Sequence, residues 1–171
     1  MNKFILKQIS EYQFKQCELF TKYSVNTSTD EYKRRMQFDV DKIKNDIYYG
    51  KIAEFMVYNY LVECDRNPTT PDLNIYLKDE KSYDADIFLD NIKLHVKSHL
   101  INQNYPVSWV FQKNDPLILN KNDNEFLALV VSEIDNADYY MYLLNIKDAK
   151  FGELMKESLR LSKTCLYESD L

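Results

Sequence analysis

Asp86, His95 and Lys97 are the residues of this chain best spaced to do chemistry together. They lie in Asp86-Ile-Phe-Leu-Asp-Asn-Ile-Lys-Leu-His95-Val-Lys97, which reads as strand, tight turn, strand, with Asp90-Asn91 at the turn. Asp86 stands at the mouth of the first strand. On the returning strand, alternation puts Lys93, His95 and Lys97 on one face and Leu94 and Val96 on the other. A carboxylate at a strand start is a natural ligand for Mg²⁺, which takes oxygen ligands and keeps several waters. One such water becomes an attacking hydroxide while the ion neutralises charge on a phosphoryl oxygen. His95 would ligate the ion through one ring nitrogen or handle protons near neutral pH. Lys97 would orient the water or stabilise charge developing at phosphorus. Nearby carboxylates keep an ammonium protonated, which argues against a general-base role for it. Asp84 shares the face of Asp86 if the strand begins early. The same residues also suit a surface hairpin capped by Asp84 and Asp86, with a solvated sheet face that carries no reaction.

A further acid lies upstream on a helix expected from about Asp39 to Val62. Its stripe is Ile43, Ile47, Gly50, Glu54, Val57 and Leu61, spaced 4, 3, 4, 3, 4. Glu54 therefore sits in or beside a buried seam, where a lone carboxylate is costly unless paired or ligated. It would reach the ion directly or through water, or pair with Lys51. Ile52, Phe55, Met56 and Tyr60 form a second flank. Before this helix, residues 3–20 read as an earlier one, with Phe4, Ile5, Ile9, Phe14, Leu19 and Phe20 as apolar positions. Residues 24–30 read as polar and turn-like, with Ser28 or Thr29 capping the next helix and Glu31 in its first turn. Residues 66–71 carry two prolines and end the helical section. Beyond them the period changes. Short strands are expected at 73–77, 86–89, 92–96, 108–112, 126–131 and 139–144, and a last helix at 151–161.

A chain of 171 residues is expected to form a single domain with a real core. Apolar content of 45% and a net charge of only -5 exclude a disordered composition. No apolar run approaches the roughly 18 residues of a membrane span, and the N-terminal apolar run breaks too early for a secretory signal. Cys17, Cys64 and Cys165 are far apart and, with two histidines in all, make no zinc cluster. A reducing, cytoplasmic setting is expected (the host cytoplasm if the chain is phage-encoded). Net acidity argues against passive coating of nucleic acid, but a local basic face remains compatible with binding it.

Glu54, Asp86 and Lys97 together resemble the PD-(D/E)XK nuclease superfamily, the restriction-endonuclease-like fold. There a helical glutamate precedes a strand bearing aspartate, and a hairpin leads to glutamate-x-lysine. Eight residues separate Asp86 from His95, a spacing usual for that hairpin, and Val96-Lys97-Ser98 completes the ending. His95 stands where the family normally has glutamate or aspartate. Histidine keeps a ligand but removes a negative charge, which bears on metal number, metal preference and activity.

The resemblance implies an α/β fold with a central mixed sheet of about five strands flanked by helices. Residues 43–145 would be the common core and 1–38 an N-terminal helical extension of one domain spanning 1–171. Glu54, Asp86, His95 and Lys97 would be catalytic, and the first three would hold Mg²⁺ or Mn²⁺. Asp84, Lys51, Ser98 and Gln112 would support them. The implied activity is metal-dependent hydrolysis of DNA leaving a 5′-phosphate, in restriction, host defence or phage DNA processing. DNA contacts are expected from Arg34, Arg35, Lys42, Lys44, Lys93, His99 and Lys113. Glu31, Asp39, Asp41 and Asp46 dilute the helical basic edge, which also suits an ordinary solvated face. Asn102, Gln103, Asn104 and Tyr105 form a polar loop near the expected cleft, and Trp109 is expected in the core. A junction-resolving or nicking homodimer is the nearest variant. An inactive nucleic-acid-binding or protein-interaction module on the same fold is the other alternative.

Overall fold

Among the described residues, seven strands and two long helices carry the architecture. In chain order they are β1 (Lys3–Leu6), α1 (Glu11–Arg34), α2 (Val40–Glu63), β2 (Ile87–Leu89), β3 (Ile92–Leu100), β4 (Ser108–Gln112), the short α3 (Pro116–Leu119), β5 (Glu125–Ser132), β6 (Tyr139–Asn145) and β7 (Lys163–Tyr167). This is a computed structural model, and it describes residues 1–34, 37–76, 84–101, 105–132 and 139–171.

Five strands form one sheet in the order β1-β6-β5-β3-β2. Only β3 and β5 pair in parallel; the other neighbours are antiparallel. The fold is thus α/β, with a mixed five-strand sheet flanked by helices. The central strand β5 is the apolar run Phe-Leu-Ala-Leu-Val-Val, buried on both faces, as a central strand requires. Ala128 and Val130 face the helical side, where Ile52, Ala53, Met56 and Val57 of α2 pack with Ile87 and Leu94. Leu127, Leu129 and Val131 face the other side, against Trp109 and Phe111 of β4 and Leu166 of β7. Strands β4 and β7 pair as a separate two-stranded sheet that covers this second face. Trp109 is in the core as expected, with Nε1 donating to the Val130 carbonyl at 3.1 Å.

The outer edge of β2 is covered. Thr69 donates its N–H to the Phe88 carbonyl at 2.8 Å, and the Phe88 N–H donates to Thr69 Oγ1 at 2.9 Å. The β2–β3 turn falls at Asp90-Asn91, with Asp90 in the left-handed region at φ 52°.

Four sequence expectations need correction. Residues 3–20 are not one helix: Lys3–Leu6 pairs antiparallel with β6, and α1 begins only at Glu11. The N-terminal section therefore contributes a sheet strand as well as a helix. A reciprocal cap marks the helix start. The Gln13 N–H donates to Ser10 Oγ at 3.2 Å, and the Ser10 N–H donates to Gln13 Oε1 at 3.0 Å. Residues 24–30 are not a turn but part of α1. Cys17, Thr21, Ser24 and Ser28 form its buried stripe, so small polar residues do the packing there. Residues 73–76 form no strand, and Leu77 lies outside the described residues. Residues 151–161 are not a helix: Gly152 bridges Cys165 of β7, and one 3-10 turn, Glu157–Leu159, follows. The helix expected from Asp39 holds, with Asp39 accepting from the Asp41 and Lys42 N–H groups at 3.0 Å each. Among the described residues no helix is long and apolar enough to cross a membrane.

Candidate functional site

The β2–β3 hairpin sets the site. Ile87 pairs with Leu94, and the Asp86 N–H donates to the carbonyl of that same Leu94 at 3.0 Å. Asp86 Oδ2 accepts from the Val96 N–H at 2.7 Å, which pins the carboxylate at the strand mouth. Its Oδ1 takes no hydrogen bond among the described residues.

Register then decides where the next two residues point. His95 lies beside Leu127 and Lys97 beside Leu129, both of which face β4 and β7. Lys97 Nζ stands 5.8 Å from the centre of the Phe111 ring on that same side. Among the described residues Lys97 forms no hydrogen bond or ion pair.

His95 Nε2 is fully buried and has no hydrogen-bond partner among the described residues. The closest acid is Glu125, at the start of β5, whose Oε1 lies 4.0 Å away, beyond hydrogen-bond reach. The two side chains retain only 12% and 14% of their exposure. Burial holds the imidazole below its ordinary pKa; Asp86 and Glu125, and more weakly Asp115, act the other way, while Lys97 acts with burial. The ring is therefore neutral at pH 7, as a ligand nitrogen must be.

Glu54 lies elsewhere. It is buried on α2 and bonded to Lys51, with Nζ to Oε2 at 2.6 Å. Lys51 also donates to the Asp72 carbonyl at 2.9 Å and sits 4.6 Å from the centre of the Phe20 ring. Burial pushes the Glu54 carboxyl up to about 8; Lys51 opposes this, and Asp86 and Asp72 add to it. Asp86 thus acts electrostatically on both Glu54 and His95. Glu54 approaches from the helical face, however, while His95 and Lys97 point to the opposite one. His95 and Lys97 share a face of β3, and Asp86 acts electrostatically on both His95 and Glu54. Among the described residues no three His, Cys, Asp or Glu side chains are drawn together as an ion-binding group.

No family model, curated protein or solved structure matches the chain. What the site can do follows from its own atoms. A buried imidazole nitrogen with a glutamate oxygen 4.0 Å away is a mixed nitrogen and oxygen donor set of two. Such a set suits Mn²⁺ better than Mg²⁺, which prefers oxygen alone. Lys97 adds a fixed positive charge for an anion beside it.

The remaining expected residues are dispersed. Asp84 binds Lys93 at 2.7 Å, and that ammonium holds its carboxyl below the usual range. Ser98 alternates to the helical face beside Val130. Gln112 faces away from Trp109 and Phe111, as alternation requires. His99 is half-buried against Trp109 and donates from Nδ1 to the Ser108 carbonyl at 2.8 Å. Lys44 pairs with Asp41 at 3.3 Å, whereas Lys42 and Lys113 are exposed. Arg34 ends α1; Arg35 and residues 102–104 lie outside the described residues.

Glu125 and Asp115 were missed. Glu125 did carry a signal: it is an acid opening an apolar strand, just as Asp86 is. Its closeness to His95 comes from the parallel β3–β5 pairing, which no local pattern encodes.

Proposed function

We propose that this chain is a metal-dependent deoxyribonuclease on a restriction-endonuclease-like core. The observation that carries the reading is one face of β3, where among the described residues the buried His95 Nε2 has no hydrogen-bond partner and Lys97 no ion pair, with Asp86 acting electrostatically on His95. Asp86 and His95 would hold the ion, with Glu54 acting on Asp86 from behind. A bound divalent ion supplies an activated water and neutralises phosphoryl charge. Lys97 holds a phosphate oxygen and steadies the negative charge that builds at phosphorus. The water oxygen bonds to phosphorus, the bond to the 3′ oxygen breaks, and that oxygen takes the proton. The products are a 5′-phosphate and a 3′-hydroxyl.

Phosphates flanking the scissile one meet Lys42 and Lys113, expected basic residues whose exposed side chains form no ion pair among the described residues. Three free cysteines suit a reducing cytoplasm, where restriction or phage DNA processing takes place. A homodimer with two such sites would cut opposing strands, as a junction-resolving or nicking enzyme does. The inactive-module reading draws on one observation, the Glu54 carboxylate already bonded to Lys51 at 2.6 Å. Cleavage of linear, supercoiled, single-stranded and four-way-junction DNA, with Mg²⁺, Mn²⁺ or EDTA, decides between them. Metal-dependent cleavage lost in both Asp86→Ala and Lys97→Ala is the expected result. Equal activity in the wild type and both variants would refute the site.

A further inference from the structure

Resting on the nuclease reading above, we infer that Leu161 is a wedge that enters the base stack of bound DNA, so that the preferred substrate is duplex with a weakened step, such as a mismatch. Leu161 is 94% exposed, more than any other large apolar side chain among the described residues. A lone exposed leucine is ordinary on a protein surface. What sets this one apart is how firmly its backbone is held and what surrounds it. The Ser162 N–H donates to the Leu159 carbonyl at 3.2 Å, and the Arg160 N–H donates to the Glu157 carbonyl at 3.0 Å. Arg160 Nε reaches back to the Leu154 carbonyl at 2.7 Å, and the Ser162 carbonyl accepts from the Lys113 N–H at 2.9 Å. The chain is thus tied on both sides of Leu161 while the side chain stands in water. A fixed mount lets an apolar side chain push into a stack with little loop entropy lost on binding.

The charge around this tip suits a polyanion. The chain as a whole carries -5, yet residues 156–163 hold Lys156, Arg160 and Lys163 against the single acid Glu157. Arg160 lies 3.7 Å from both Glu153 and Glu157, so it organises the turn. Lys113 and Lys156 are exposed and form no ion pair among the described residues. The tip also borders the proposed site. Phe111, whose ring centre is 5.8 Å from Lys97 Nζ, pairs with Thr164, and Gln112 pairs with Lys163. Lys163 and Lys42 both act electrostatically on Asp46 of α2. Leu161 therefore stands beside Lys113, at the end of the molecule that also carries Lys42. Leucine flanked by basic residues is a side chain that proteins insert between base steps, and the cost of unstacking falls where the step is already weak.

Binding of the full chain to a matched duplex, and to the same duplex with one central mismatch, is read by fluorescence anisotropy in EDTA, which stops metal-dependent cleavage. The wild type should bind the mismatched duplex about tenfold more tightly. Leu161→Ala should bring the two affinities within about twofold of each other, with no change in melting temperature, because the side chain it removes packs on nothing. The Leu161→Trp protein reports the insertion directly. Its new indole should be quenched by stacking on a base of the mismatched duplex, over a constant background from the buried Trp109. A wild type that shows no preference or no binding, a preference retained in Leu161→Ala, or unquenched emission from the Leu161→Trp protein overturns the wedge. Where metal-dependent cleavage persists in a separate assay, the nuclease reading survives that result. Absence of binding to either duplex, together with absence of metal-dependent cleavage, overturns both.

Discussion

The two faces of the central sheet treat charge in opposite ways. On the helical face Lys51 and Glu54 are buried together, each satisfied by the other, with the Asp72 carbonyl taking a second Lys51 proton. On the face toward β4 and β7, His95 and Lys97 are half-buried and uncommitted. A closed pair contributes to folding and has little left to offer a ligand. Open groups lower stability slightly and persist where a ligand completes them. The contrast teaches that burial alone does not mark a working residue. Glu54 is more withdrawn than Asp86, yet it is the one already spoken for.

The hardest way to break this contrast is to open the closed pair. Glu54→Ala leaves the buried Lys51 ammonium alone and should lower unfolding free energy by about 3–5 kcal/mol, read by urea titration, whereas Lys51→Ala leaves a carboxyl that takes up a proton and should cost less. Replacing both by apolar residues of similar size should recover most of that loss. The opposite face should behave in reverse. Lys97→Ala should slow metal-dependent DNA cleavage about a hundredfold while leaving the unfolding free energy within about 0.5 kcal/mol of the wild type. A large stability loss there would mean that the face is structural after all. Beneath that face the core is tight: Trp109→Phe removes the bond to the Val130 carbonyl and should cost about 1–2 kcal/mol.

The smallest effect is a pH slope. Burial lowers the pKa of His99, and its bond to the Ser108 carbonyl only partly opposes this. The unfolded chain takes up the proton near pH 6.5, the folded chain at lower pH. Below about 6.5 the unfolded state therefore binds more protons, and stability falls as pH falls through that value toward the folded pKa. His99→Gln should flatten this part of the slope in thermal unfolding measured from pH 7.5 to 5. A slope unchanged by the substitution would refute the assignment.

Legibility in the sequence followed the range of the interactions. Strands β4, β5 and β6 and the β2–β3 hairpin were readable because a two-residue period and a turn at Asp90-Asn91 are local. Strand β1 was not, since Lys-Phe-Ile-Leu is too short to show a period beside the apolar positions that follow. The middle of α1 was missed because Thr21, Ser24 and Ser28 bury a face that hydropathy scores as polar. Strand β7 was hidden because its partner β4 lies some fifty residues back in the chain. The common face of Lys93, His95 and Lys97 was legible from alternation. For Glu54, pairing with Lys51 was one of two open readings, and spacing alone did not choose. Glu125 needed the parallel pairing of two strands thirty residues apart.

Thr69 meets both outward-facing main-chain groups of Phe88. Another protein molecule therefore finds no empty rung on this margin and cannot lengthen the ladder there without first prising Thr69 away. The protection comes from a stretch too irregular to count as a strand, set between Pro68 and Pro71, whose rings have no N–H to offer a newcomer. Weakening those two bonds would thus expose a sticky border long before it disturbed the hydrophobic interior.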